Sequence, residues 1–518
     1  MEKLVNSESE STIKSGLLSQ LGGLRYVAIL ALFILGIGLR IVDITDPPLD
    51  FHPWRQLRAA SIARAKYYKM TPSLNPDKRQ TAIELAEDFE VLEPRIFETI
   101  VAFSYKVVGG VHLWIARLYA ILFWTIGGIA LFSLARRLTS EDGAIVSLAF
   151  YLFTPFGFTG SREFLPEPLM IMLIMLALYS LSRFGEERSW KWSICTGLLS
   201  GAAIHVKIFA IFPIAIATVF FVITVWGFKQ AIKEPKVWVT ALLTLTIPAP
   251  YYLLGLSGSY TGSEYLSYWS FRFSKLLLQP GFYVQWMTVL QDLVGLLVVF
   301  PSLMGAILFP PRGKALSIGL WVGYLLLGMC VPSLILSHTY YSLLLVPTIA
   351  LSLAPLGNLL FSKFITQPRI WQFSFAGIAL LSLSSPIVYN YKSVMARDYR
   401  PEIIGWEELG NELPEGTFIG ITHDYNNRLN YYGWRKVTQW PHASDIGTDI
   451  ISGAITIQDN PDWHEIFLQK TQGYDYFIVT LFGELDLQPV LRETLYQNYE
   501  IIAADDRYIV FDLNSKKE

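Results

Sequence analysis

The stretch LDFHPWRQLRAASIARAKYY, residues 49–68, places Asp50, His52, Arg55, Gln56 and Arg58 close together. Further on, SREFLPEPLM supplies Arg162, Glu163 and Glu167, and HVKIF supplies His205 and Lys207. YWSFRFSKLL supplies Arg272 and Lys275, and SHTYYSLLLVP supplies His338, Tyr340 and Tyr341. Carboxylates near cations and tyrosines suit one kind of chemistry. A carboxylate can take the proton of an acceptor hydroxyl. Lysine, arginine and tyrosine can hold a lipid-linked phosphate and stabilise it as charge develops on the leaving group. On this reading Asp50 is the first candidate base and Glu167 the second acid, with His52 as another group able to handle the proton. Arg55, Gln56 and Arg58 would orient loop and substrate, and Trp54 would stack on a sugar or sit among headgroups. Lys207, Arg272, Tyr340 and Tyr341 would hold phosphate.

Each residue also has a plainer reading. Asp50 fits a solvated loop acid. Glu163 and Glu167 fit acids at a helix N-terminus, with Pro166 and Pro168 in the first turn. Glu167 fits that role less well, because it lies further into an apolar run. Lys207 fits a side chain reaching up to headgroups, and the tyrosines fit interface anchors. No single residue decides between these readings. The informative feature is that they share one side of the membrane.

That sidedness follows from the elements that must carry them. The 518-residue chain has a mean hydropathy of +0.39 and 16% charged residues, against about 25% in soluble domains. Its 15 Trp, 27 Tyr and 32 Phe form an aromatic excess typical of bilayer interfaces. A formal net charge of −2 argues against a nucleic-acid binder, which would show a basic balance. Cys195 and Cys330 both lie in apolar runs, without metal-ligand spacing or a disulfide framework. A spanning helix needs about 20 apolar residues. Eleven runs qualify or nearly do: 25–42, 115–135, 142–159, 165–182, 192–206, 208–228, 237–256, 283–309, 315–332, 340–360 and 371–389. The run 25–42 lacks a small-x-small cleavage site and reads as an anchor. Segment 96–111 contains Glu98 and Lys106 and reads as a membrane-surface or partly inserted helix.

Lys and Arg concentrate in cytoplasmic loops. With residues 1–24 as a cytoplasmic tail, every inside loop is basic, including Arg136–Arg137 and Arg312–Lys314. The first external loop is then 43–114, and residues 25–389 form the transmembrane core. Residues 390–518 form an external domain. There GTFIGITHD and YDYFIVTLF read as buried strands, IIAADDRYIVFDL as a hairpin and LQPVLRETLYQNY as an amphipathic helix. The fold class is a polytopic α-helical membrane protein of about eleven spans with a small C-terminal α/β domain.

The order of motifs resembles the polytopic glycosyltransferases of the C-type fold, family 39: protein O-mannosyltransferases and the lipid A aminoarabinose transferases. The resemblance covers most of residues 25–360 and rests on SIARAKYY as an Ile-Ala-Arg-like helix. It also rests on LEPRIFETIVAFSYKVVGGVHLWIARLYAILFWTIGGIALFSLARRL, on SREFLPEPLMIML and on SHTYYSLLLVPTIALSLA. It implies a multi-helix core with a loop-built external site and inverting transfer of a sugar from a polyprenyl-phosphate donor. An acid in the first external loop would act as base, and basic and tyrosine residues would hold the donor phosphate. There are departures. Where many members carry Asp-Glu before the Ile-Ala-Arg motif, this chain has Arg55–Gln56, and the nearest upstream acid is Asp50. A subgroup with His-x-Trp-Arg-Gln is closer. The Lys-Pro-Pro of the aminoarabinose transferases becomes Glu93–Pro94–Arg95 after Leu92. The donor-phosphate contact then passes to Arg95 or Arg58 or is absent, and Glu93 becomes another candidate acid.

The expected function is therefore glycosyl transfer to a hydroxyl or phosphate acceptor (lipid, glycan or protein) at the external face. No cofactor is expected, and a divalent-metal requirement stays open. The expected location is a bacterial inner membrane, with the C-terminal domain periplasmic or extracellular. A transporter or lipid flippase is an alternative. It would show repeats and midplane polar groups, whereas the polar groups here lie at one edge. A membrane scaffold with a partner-binding external domain is the third reading.

Overall fold

All eleven apolar runs fall wholly or partly on helix in the computed structural model, which describes residues 22–87, 89, 93–253, 267–364, 366–452 and 463–516. Among these residues seven helices are long and apolar enough to cross a membrane: Leu24–Ile41, Trp114–Leu138, Glu167–Glu187, Ile208–Trp226, Pro311–Cys330, Thr339–Phe364 and Arg369–Glu412. Pro280–Leu293 and Leu296–Leu308 make an eighth if a pair bent by 96° is one span. Eleven spans are not confirmed among the described residues, and the reason is local. Proline lacks an N–H and disfavours helix in the residue before it. Thr154, ahead of Pro155, turns to ψ 130°, so the run 142–159 divides into Glu141–Phe153 and Pro155–Gly160. Gly295 at φ 81° makes the bend between Pro280–Leu293 and Leu296–Leu308. Trp190–Val206 has 17 residues and Pro235–Thr246 has 12. Segment 96–111 is the helix Ile96–Val108, with Phe97, Val101, Ala102 and Tyr105 buried and Phe103, Val107 and Val108 exposed.

The chain divides into two compact units: residues 1–44, 91–97 and 116–397, and residues 45–90, 98–115 and 398–518. Much of the segment 43–114 thus belongs with the C-terminal residues.

The first unit is a helical bundle whose outer helices expose large apolar side chains, such as Leu30, Ile34, Trp371, Phe373 and Leu381. Surface of that kind needs lipid around it, and the chain is an integral membrane protein. Without a hydrophobic force between helices in lipid, packing relies on close backbone approach and buried hydrogen bonds. A Cβ on Gly319 would lie 2.5 Å from the Ala217 backbone, and one on Gly323 2.5 Å from the Pro213 backbone. Gly323→Ala should therefore destabilise the bundle by about 1–3 kcal/mol, seen as a lower unfolding midpoint in detergent. An unchanged midpoint would show that the helices can part freely. Nearby, Ser317 and Ser352 share a hydrogen bond at 2.7 Å, and Trp321 Nε1 donates to Ser352 Oγ at 3.1 Å. Trp286 Nε1 donates to Tyr324 Oη at 3.1 Å, and Tyr324 Oη meets Ser342 Oγ at 2.9 Å.

The second unit carries a five-stranded sheet of β1 (Phe418–Ile421), β2 (Val437–Gln439), β3 (Tyr476–Val479), β4 (Tyr499–Ala504) and β5 (Ile509–Lys516), in the order β2-β1-β3-β5-β4. β2 and β3 flank β1 in parallel, while β5 runs antiparallel to both β3 and β4. The core packs Ile419, Ile421, Phe477, Val479 and Phe511 against Trp440, Leu491 and Leu495. The helix Pro53–Met70 lies in this unit, and its Arg64 is clamped by aromatic faces. The guanidinium carbon stands 4.1 Å from the Tyr431 ring centroid and 3.9 Å from that of Trp434, and Nη1 donates to the Tyr431 carbonyl at 2.7 Å. Desolvation by burial lowers its pKa, while Tyr431 opposes that.

At the end of β1, burial and the neighbouring Arg428 hold the His423 imidazole below its usual range, against the pull of Asp424 and Glu402. A neutral imidazole in the fold stabilises it above the unfolded pKa of about 6.5, and this contribution is lost as pH falls toward the folded pKa. Acidification from pH 7 to about 5.5 should therefore lower the melting temperature, and His423→Gln should flatten that dependence. Parallel curves for the two proteins would remove His423 from the effect.

Candidate active site

Three interruptions of helix build the site within the first unit. The helix Trp190–Val206 ends where Lys207 turns to extended geometry at φ −155°, and a 3₁₀ turn, Ile208–Ala210, follows. The helix Glu167–Glu187 opens at Glu167 between Pro166 and Pro168, whose missing N–H groups cost nothing in a first turn. The helix Pro332–Ser337 stops before His338, and the 3₁₀ turn Thr339–Leu344 carries Tyr340 and Tyr341 into the next helix.

These side chains converge. Lys207 Nζ donates to Glu167 Oε1 and stands 3.9 Å from Glu93 Oε2. The ammonium also lies over two rings, 4.7 Å from the Tyr340 centroid and 4.4 Å from the Tyr341 centroid. Tyr341 takes an edge contact from Phe209 at 4.9 Å, and the His338 ring stands 5.6 Å from Tyr340. Lys207 is 3% exposed and Glu167 1%. A buried ammonium is tolerated only with such partners, and cation–π contact adds about 2 kcal/mol when desolvated. Glu167 Oε2 is buried and has no hydrogen-bond partner among the described residues. Lys207 has three N–H donors, one of which goes to Glu167. The cluster thus presents spare donors and a spare carboxylate oxygen side by side.

Residues 93–253, which include Glu93, Glu167 and Lys207, match the family model of dolichyl-phosphate-mannose-protein mannosyltransferases. A comparison with curated proteins finds no match. Among solved structures, the chain resembles ArnT from Cupriavidus metallidurans bound to undecaprenyl phosphate, with a TM-score of 0.55 at 14% identity over 94% of this chain and 98% of that one. The chain shares the fold of that structure. It is also similar to the Archaeoglobus fulgidus oligosaccharyltransferase in complex with zinc and sulfate, with a TM-score of 0.57 at 12% identity over 94% of this chain and 73% of that one. The archaeal oligosaccharyltransferase AglB from the same organism, with an inhibitory peptide and a dolichol-phosphate, gives 0.54 at 9% identity over 93% and 73%. Together these structural matches show a fold shared along nearly the whole chain.

The other residues singled out in the sequence lie as follows. Arg162 donates from Nη2 to the Val42 carbonyl at 2.9 Å and lies over the Phe158 ring, so it fastens the chain that leaves the first helix. Glu163 is fully buried next to it. Arg95 is half-buried after Pro94, and Arg272 is exposed in a turn. In the second unit, Asp50 is exposed and its Oδ1 accepts the Phe51 N–H at 3.0 Å. His52 starts the helix Pro53–Met70 in left-handed geometry at φ 46°. Gln56 Nε2 donates to the Phe51 carbonyl at 2.8 Å, which pins this turn. Arg55 and Arg58 are buried over the rings of Trp54 and Phe89.

Sequence reasoning missed Arg40, which donates from Nε to Ser161 Oγ at 2.6 Å and from Nη1 to the Gly36 carbonyl at 2.9 Å. The signal was an arginine closing an otherwise apolar run. It also missed Phe209, which props Tyr341. Among the described residues no group of three His, Cys, Asp or Glu side chains is placed to hold a metal.

Proposed function

We propose that this protein transfers a sugar from a polyprenyl-phosphate donor to a hydroxyl or phosphate acceptor at the external membrane face, with inversion. The observation that carries the reading is the buried Lys207, held by Glu167, Glu93 and the faces of Tyr340 and Tyr341. The ammonium donors that Glu167 leaves unused would take the donor phosphate and stabilise it as the glycosidic bond breaks. Glu167 Oε2 would accept a hydrogen bond from a sugar hydroxyl, fixing the ring for attack. With Glu167 tied to the lysine, the acceptor proton would go to another acid, and Asp50 keeps that assignment. Arg55, Gln56 and Arg58 would hold the Asp50 turn in shape.

The test is turnover by the full chain in proteoliposomes. Polyprenyl-phosphate sugars are supplied and the released polyprenyl phosphate is measured. Release from at least one donor, reduced at least tenfold in Glu167→Gln, is the expected result. No release from any donor in the presence of mixed lipid, glycan and peptide acceptors would overturn the assignment.

A further inference from the structure

The sheet of the second unit has a topological switch point. The chain goes from β1 to β2 on one flank and returns with β3 on the other, and all three strands run parallel. In such sheets, ligands bind in the crevice outside the carboxyl ends of the two strands where the direction of winding changes. Here those ends lead into His423 after β1 and Thr480 after β3. A cavity of about 600 Å³ opens there, with walls that include His423, Thr480, Trp406, Glu402, Glu408 and Arg507. That volume lies within the range of about 300–1,000 Å³ of small-molecule sites.

The walls define the ligand. Thr480 Oγ1 accepts the His423 backbone N–H at 3.3 Å and meets Nδ1 at 3.0 Å, so the imidazole is fixed by one edge. Its Nε2 makes no hydrogen bond to protein among the described residues, and Trp406 stands edge-on at 5.5 Å. Arg507 is the cation in the wall, but its charge is already answered. Nε donates to Asp505 Oδ2 at 3.0 Å and Nη1 to Glu408 Oε2 at 3.5 Å. Glu402, Glu408 and Asp506 add carboxylates to the same wall. A phosphate or other anion would meet more negative than positive charge. Carboxylates are acceptors only, and they suit a ligand rich in hydroxyls. Trp406, Phe482 and Ile404 supply the apolar patches that face C–H groups.

We propose that this crevice is a saccharide-binding site for a neutral, hydroxyl-rich ligand of about disaccharide size, with His423 Nε2 and the Glu408 carboxylate as its central polar contacts. The site is made wholly by residues of the second unit and does not depend on any role of Lys207.

The test is saturation-transfer NMR on the full chain in nanodiscs with a panel of neutral disaccharides: cellobiose, maltose, lactose, chitobiose and mannobiose. Glucose 6-phosphate and sorbitol serve as controls. The expected result is transfer to at least one disaccharide and to neither control, with affinity at least fivefold weaker in Glu408→Gln. Glu408 is exposed, so that variant keeps its melting temperature. His423→Gln gives a second, independent loss. Silence from the whole panel, or binding unchanged in both variants, overturns the proposal. Disaccharide binding without donor turnover, or turnover without binding, separates this site from the transfer reaction.

Discussion

Lys207→Met should abolish sugar transfer and also destabilise the helical unit. The two losses have different origins. Removing the ammonium leaves the Glu167 carboxylate buried without its partner, and breaking a buried pair from one side costs about 3–5 kcal/mol. Replacing both partners with apolar groups of similar volume is often close to neutral. The double variant Lys207→Met with Glu167→Leu should therefore melt near the wild-type temperature yet show no turnover. That dissociation is the informative outcome, because a purely structural ion pair would regain activity along with stability. Turnover within tenfold of wild type in the stable double variant would show that neither residue touches the donor.

Asp50→Asn should behave in the opposite way. Asp50 is exposed, and an amide oxygen at this position can still accept the Phe51 N–H. Asn keeps the size and shape of Asp, so a nearly unchanged melting temperature is expected and is measured beside turnover. If Asp50 is the base, turnover should fall by about 10²–10⁴-fold, the usual contribution of a positioned acid–base group. Full turnover in Asp50→Asn would release the role to another acid, and Glu167 Oε2 would be tested next. The pair of experiments separates a group whose loss costs stability as well as turnover from one whose loss would cost turnover alone.

Much of this protein was legible in its sequence because lipid imposes a simple rule. Each spanning segment must be a long apolar helix, and Leu24–Ile41, Trp114–Leu138 and Pro311–Cys330 stand out by composition alone. The strands β1 and β3 and the hairpin of β4 with β5 lie within segments whose apolar, β-branched residues mark them. Glu167, Lys207, Tyr340 and Tyr341 were each visible as polar residues at a helix end. Their meeting was not visible. Glu167 and Lys207 stand 40 residues apart, and no helical or strand period relates them. The role of Arg162 was equally hidden, since a carbonyl acceptor such as that of Val42 leaves no mark on residue type. Arg64 was hidden for the reverse reason. Arginine is rarely buried without a carboxylate, and the rings that cover it come from residues far along the chain. Two of the spans broke at Pro155 and Gly295, where one residue outweighs the apolar character of its neighbours.

The contacts of Lys207 have one more consequence. Two carboxylates, Glu93 and Glu167, surround one ammonium, so the cluster has a formal charge of −1. Steered association needs a field of opposite sign that reaches beyond contact distance, and this arrangement offers a negatively charged headgroup none. Selection would act only after collision in the bilayer, when a phosphate reaches the ammonium donors that Glu167 leaves unused. On the proposed reading, the pocket would discriminate by contact rather than by attraction from afar.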